Sequence, residues 1–167
     1  FVCISSATFA ISLGELQNSP QFWRERHSSS VDVYLDLNSI QSTLYNPPKY
    51  TLKFKVYTVD KKDEYIGEGN VIADYDYNKS IEGIIKRNNL SKMPYTSEKV
   101  KSTVKKSKLK DSGIVNSLKV SAIYDFNGKE IYSGNPIKTA ENIKVDATSS
   151  GYIISVKAFK QYYKVTF

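Results

Sequence analysis

Tyr50-Thr51-Leu52-Lys53-Phe54-Lys55-Val56-Tyr57-Thr58-Val59-Asp60 alternates apolar and polar side chains along one continuous run. A period of two places Leu52, Phe54, Val56 and Thr58 on one face of a strand and Lys53, Lys55 and Tyr57 on the other. Lys61-Lys62-Asp63 makes a hairpin loop, and residues 64–75 return as the partner strand. Gly67 and Gly69 interrupt that partner, which predicts a bulge or a strong twist. The pair reads as an antiparallel meander with one wet face.

Working outward, residues 31–36 alternate in the same way, and Asp36-Leu37-Asn38-Ser39-Ile40 is a tight turn opened by Asx chemistry. Residues 21–26 form a first strand with Trp23 buried, and Ser28-Ser29-Ser30 turns the chain. Asn46-Pro47-Pro48 breaks it, because consecutive prolines cannot donate to a ladder. After residue 78 the character changes. Ile81, Ile84 and Ile85 predict a short helix ending near Asn88-Asn89. Thr96-Ser97-Glu98 caps a lysine-rich helix to about Leu109, with Val100, Val104 and Ser107 facing inward. Residues 114–124 are a strand again, Asn127-Gly128 supplies a type I′ turn, and residues 129–132 are its partner. Asp146 to Ser150 offers caps for an amphipathic helix carrying Tyr152, Ile153, Val156, Phe159 and Tyr163 on its apolar stripe. The fold class is α+β: an antiparallel sheet with a C-terminal helix packed on one face, plus a Lys-rich helical or loop insertion. A single domain spans residues 21–167 with the basic insertion at about 81–113, preceded by a loosely ordered lead at 11–20.

Phe1 to Ala10 is uncharged and mostly apolar, too short to span a bilayer, which needs roughly 20 apolar residues. Ending in Thr8-Phe9-Ala10, it reads as the back half of a secretory signal peptide. An edge strand or buried helix, or lipid attachment at Cys3, are the other readings. Export would place the protein at the cell surface, in the outer envelope or in the periplasm.

One Cys excludes a disulfide framework within the chain, and one His excludes most His-based catalysis and transition-metal sites. The net charge of +7 is carried almost wholly by Lys, with Arg only at 24, 26 and 87. Bidentate base or phosphate readout favours Arg, so nucleic acid is not the expected partner. The densest charge contains Lys101, Lys105, Lys106 and Lys108. Val104-Lys105-Lys106-Ser107-Lys108-Leu109 fits the basic-pair spacing of sulfated-polysaccharide sites, and on a helix Lys101, Lys105 and Lys108 share one side. A merely solvated, lysine-coated helix explains the same run. Tyr57, Tyr65, Tyr75 and Tyr77 are placed on the outer sheet face, where a Tyr/Lys surface suits a protein or glycan partner. Ordinary cross-strand pairing is the plainer account. His27 beside Ser28-Ser29-Ser30 lacks a nucleophile elbow and an orienting carboxylate. Asp74 and Asp76 lack the third acidic ligand that a Ca²⁺ site requires. No catalytic residue, cofactor or metal is expected.

The Trp23 strand, Val31-Asp32-Val33-Tyr34-Leu35-Asp36-Leu37-Asn38-Ser39-Ile40, the lysine-studded Thr51-Leu52-Lys53-Phe54-Lys55-Val56-Tyr57, the turn Tyr124-Asp125-Phe126-Asn127-Gly128-Lys129 and the closing amphipathic helix resemble the surface-adhesin protein E family of bacterial exported proteins. The chain departs from that family in its long basic segment and in lacking a cysteine pair that tethers the last helix. The resemblance implies a non-enzymatic surface protein that attaches to host matrix proteins, and it brings no catalytic or ligand residues. The expected function is therefore adhesin-type binding to host matrix protein or to sulfated or acidic polysaccharide, with homodimers through the sheet edge left open. A structural envelope protein with no host ligand is the alternative.

Overall fold

The computed structural model describes residues 11–167; the expected signal segment lies outside them. In chain order the elements are α1 (Leu13–Asn18), β1 (Phe22–His27), β2 (Val31–Asp36), β3 (Gln41–Asn46), β4 (Lys49–Asp60), β5 (Tyr65–Asp76), α2 (Ile81–Arg87), α3 (Glu98–Lys110), β6 (Ile114–Asp125), β7 (Glu130–Lys144) and α4 (Ser150–Tyr163). The seven strands form one antiparallel sheet in the order β1-β2-β4-β5-β6-β7. β3 and β2 share one side of β4, β3 pairing its first half and β2 its second. The expected α+β architecture is present.

One face of the sheet packs Leu35, Leu52, Phe54, Ala73, Tyr75 and Ile114 against α4 and the C-terminal Phe167. Ser149 caps α4 by accepting a hydrogen bond from the Tyr152 amide. The residues that α4 buries are Ile154, Ser155, Ala158 and Phe159, while Ile153 is exposed. The predicted stripe was therefore rotated by part of a turn. Small Ser155 and Ala158 let the helix approach closely, and the large Tyr152, Val156 and Tyr163 pack at its flanks. The Tyr75 hydroxyl donates to the Ser155 carbonyl at 2.9 Å, which fixes this rotation across the layers.

The second face is wet only in part, contrary to the simple alternation. Val56 and Tyr57 are both buried, so β4 breaks period two where α1 crosses the other face. Leu16 of α1 fills a slot between Tyr34, Tyr57, Val59 and Ile66, worth roughly 1.5–3 kcal/mol of burial. Residues 11–20 are thus an ordered element rather than a loose lead. Their order follows from a capping box in which Ser12 and Glu15 satisfy each other's amides. The Leu13 amide also donates to the Phe126 carbonyl at 3.0 Å.

Gly69 stands opposite a bulge rather than in one: Glu68 pairs with Ala122 and Gly69 with Val120, so the extra residue, Ser121, is on β6. A Cβ at Gly69 would lie 2.8 Å from Leu118 Cδ1 and 3.2 Å from Val56 Cγ2, so glycine lets these neighbours close. Pro47-Pro48 turns the chain rather than ending its pairing, since Asn46 and Lys49 are register partners in the β3–β4 hairpin. The Asn127-Gly128 turn is not type I′. Only Gly128 has positive φ, and its amide donates to the Asp125 carbonyl at 3.1 Å. Asp125 Oδ1 accepts from the amides of Asn127 and Lys129 and holds this form. β7 runs far past Tyr132, with register shifts that open a loop from Gly134 to Ile137. Those shifts and Pro136 discourage further strand addition at that edge.

Candidate functional site

The insertion between β5 and β6 is a pair of helices with a small core of its own. Ser80 caps α2 by accepting from the Gly83 amide, and Asn89, with φ 56°, ends it. Ser97 caps α3. Ile85, Leu90 and Val100 pack together, flanked by Ile81, Met93 and Val104. Ten Lys and Arg and three Asp and Glu lie from Lys79 to Asp111, so this segment carries a surplus of seven. That equals the +7 of the whole chain, and the remaining residues balance at fourteen against fourteen. A count of charge by segment would have revealed this from the sequence.

Lys101, Lys105 and Lys106 are exposed on α3, and Lys101 pairs with Glu98 at 3.0 Å. Lys108 does not join them. It continues the inward i, i+4 stripe of Val100 and Val104 and is 6% exposed. Its Nζ donates to the Ser112 carbonyl at 3.0 Å and lies 4.2 Å from the Phe167 ring centroid. Burial pushes its pKa down to about 8. The row of three expected on one side of α3 is therefore reduced to Lys101 and Lys105, with Lys106 beside them.

Sequence reasoning missed Arg87 and Lys110, which stand with Lys79, Asn88, Ser107 and Asp111 around a 340 Å³ cleft between α2 and α3. Each cation ends a helix, where it complements the partial negative charge of the last carbonyls. Lys79 is spoken for: it donates to Asp111 Oδ2 at 2.6 Å, and that hydrogen bond holds the Asp111 carboxyl below its usual pKa. Arg87 and Lys110 have no carboxylate within 4.0 Å among the described residues. Together with the α3 lysines they leave an anion-accepting surface.

The four tyrosines predicted on the outer sheet face do not form one surface. Tyr57 is 6% exposed beneath α1, and Tyr75 is 1% exposed beneath α4 on the opposite face. Burial, helped by the charge of Glu68, pushes the Tyr57 hydroxyl pKa far up. Tyr65 is half-buried at the start of β5. Tyr77 is half-buried in a 3-10 turn after β5, packed on Tyr50 and Phe159. The exposed rings are instead Tyr45, Tyr95, Tyr132 and Tyr162.

His27 does have an orienting carboxylate, which register supplies: His27 and Asp32 are cross-strand partners. Asp32 Oδ1 lies 2.9 Å from both His27 Nδ1 and Lys61 Nζ. Burial opposes the charged Asp32, but hydrogen bonds from Lys61 and His27 prevail and hold its pKa low. The Ser28 hydroxyl is tied to the Val31 backbone, so this cluster clamps β1, β2 and the β4–β5 loop. Asp74 accepts from Thr51 Oγ1 at 2.6 Å, and Asp76 pairs with Lys49 at 2.9 Å. Among the described residues, no three His, Cys, Asp or Glu side chains are grouped to hold a metal ion, and no helix is long and apolar enough to cross a membrane. A cleft of 490 Å³ beside the first turns of α4 is lined by Val33, Val56, Val71, Leu118, Ile143 and Ile154. Asp146 at its rim is held by Thr148, whose amide and hydroxyl both donate to it. Comparison with known protein families, with curated proteins and with solved structures finds no match.

Proposed function

We propose that this chain is a non-catalytic binding module of an exported bacterial surface or envelope protein, and that α2 and α3 engage an acidic partner. The preferred partner is a sulfated or carboxylated polysaccharide of the host matrix. One observation carries this reading: the whole net charge of the chain sits between Lys79 and Asp111, on a helical pair with a small core of its own. A charge used only for solubility has no reason to concentrate there, because like charges repel and weaken the helices that bear them. The resemblance to the protein E family supports the same class and brings no ligand contacts of its own.

The test is retention on immobilised heparin across a salt series. Five Gln replacements, at Arg87, Lys101, Lys105, Lys106 and Lys110, should weaken binding about tenfold or more, given about 0.3 kcal/mol or more for each exposed charge. Retention that is insensitive to salt, or untouched by these changes, would remove the site from α2 and α3. Absence of retention by the unaltered chain would favour an envelope protein without a host ligand. Fractionation of cells producing the full precursor tests export, and a cytoplasmic product would overturn that part.

A further inference from the structure

We infer that the cleft where the tyrosine-rich end of the sheet meets α2 is a subsite for a pyranose ring of the acidic glycan. The inference rests on the polysaccharide reading above and adds a specificity that charge alone does not give. The cleft measures 480 Å³ and is lined by Tyr77, Ile81, Glu82, Tyr95, Val165 and Thr166. That volume is in the range of small-ligand sites, about 300–1,000 Å³. Tyr95 comes from the loop before α3 and is 65% exposed. No other aromatic ring packs on it among the described residues. Tyr77 lines the same cleft, backed by Tyr50 and Phe159 at ring separations of 5.9 Å, so its position is set. The Tyr77 hydroxyl donates to Glu82 Oε2 at 3.0 Å. Glu82 forms no ion pair among the described residues, and its second oxygen points to an acceptor role.

This combination selects a chemistry. A sulfate or phosphate is repelled by Glu82, whereas a sugar hydroxyl donates to it in a charge-assisted hydrogen bond. The apolar C–H face of the same ring stacks on a tyrosine that tolerates water at its hydroxyl end. Anionic substituents on the ring then fall to cations nearby, of which Lys86 is one helical turn beyond Glu82 and exposed. A featureless polyanion would need only the lysines. A polymer of charged sugar rings uses the cleft as well.

The experiment compares a size-defined heparin oligosaccharide with inorganic polyphosphate of similar charge, by calorimetry at one salt concentration. Tyr95→Ala should weaken the oligosaccharide about 2- to 10-fold and leave polyphosphate unchanged. Glu82→Gln should weaken the oligosaccharide and strengthen polyphosphate, since it removes a repelling charge. Unaltered thermal unfolding of Tyr95→Ala is expected, as no other aromatic ring packs on Tyr95 among the described residues, while Glu82→Gln keeps a side-chain oxygen to accept from the Tyr77 hydroxyl. An oligosaccharide affinity unaffected by Tyr95→Ala, or equal losses for both ligands, would overturn the subsite while the basic surface stands. If neither ligand binds the unaltered chain, the polysaccharide reading falls and the subsite with it.

Discussion

Between β5 and β6 the chain leaves the sheet for two helices, and the two parts differ in what holds them and in the charge they carry. In the sheet and α4, Leu52, Phe54, Tyr75, Ile154, Phe159 and Phe167 meet in one core between two layers. Charges outside residues 79–111 balance. The helical pair buries only Ile85, Leu90 and Val100 as a cluster of its own and carries all of the surplus. It is fastened by few points: fully buried Ser80 and Ile84, the close seat of Gly83, and Lys108 beneath Phe167. A thinly packed unit that also bears self-repulsion is held there at a cost in stability, and the sheet with α4 carries no such charge surplus.

The contrast can be broken at its strongest point first. Phe159 meets the rings of Tyr50, Tyr75, Tyr163 and Phe167 at centroid separations of 4.8–5.4 Å. Phe159→Ala should cost about 3–5 kcal/mol in denaturant unfolding. A loss below about 1 kcal/mol would show that α4 does not close the main core.

Gly83→Ala probes the fastening of the helices. A Cβ at Gly83 would lie 2.5 Å from the Asn78 carbonyl oxygen and 2.6 Å from that of Tyr77, both backbone atoms. The strain should cost about 1–3 kcal/mol. Amide exchange should quicken in α2 and α3 while β4 and β5 stay protected. Equal loss across the sheet would mean that the two parts unfold as one.

Lys108 makes the contrast depend on pH. Its folded pKa of about 8 lies below the ordinary lysine value, so the unfolded chain holds more protons between about pH 8 and 10. Stability from this group therefore rises with pH across that window and is least below it. The melting temperature should climb by a few degrees from about pH 7.5 to 9.5. Lys108→Met should remove that slope. Above about pH 10 the trend reverses, because folding holds Tyr57 and Tyr75 protonated when unfolded tyrosines ionise. Parallel curves for the two proteins would refute the assignment to Lys108.

The smallest effect concerns α4. A Cβ at Gly151 meets its nearest atoms at 3.7–3.8 Å, ordinary contact. Gly151→Ala should stabilise by about 0.5–1 kcal/mol through helix propensity, seen as a higher melting temperature. Destabilisation would show that the first turn of α4 is more tightly seated than its contacts indicate.

Much of the fold was legible because local rules and tertiary packing agree. The β4–β5 hairpin follows from alternation, the end of α2 from Asn88-Asn89 and the start of α3 from Ser97. The site was less legible. Lys108 follows Val100 and Val104 on a helical wheel, but that a lysine accepts this inward position depends on Phe167, 59 residues away in the chain. Tyr57 and Tyr75 look like exposed strand aromatics until α1 and α4 lie over them.

While α1, β3 and β7 beyond Tyr132 escaped it, the sequence by itself determined β1, β2, β4 to β6, the three later helices and the segment that holds the charge. These depend on periodicity, capping chemistry and composition, which act over a few residues. Only the tertiary structure decided which face each element buries, that Ile154 rather than Ile153 enters the core, that Asp32 receives His27 and Lys61, and that Tyr77, Glu82 and Tyr95 share one cleft. The physical reason is that burial and convergence depend on layers from distant parts of the chain, and no local pattern records which layer will arrive.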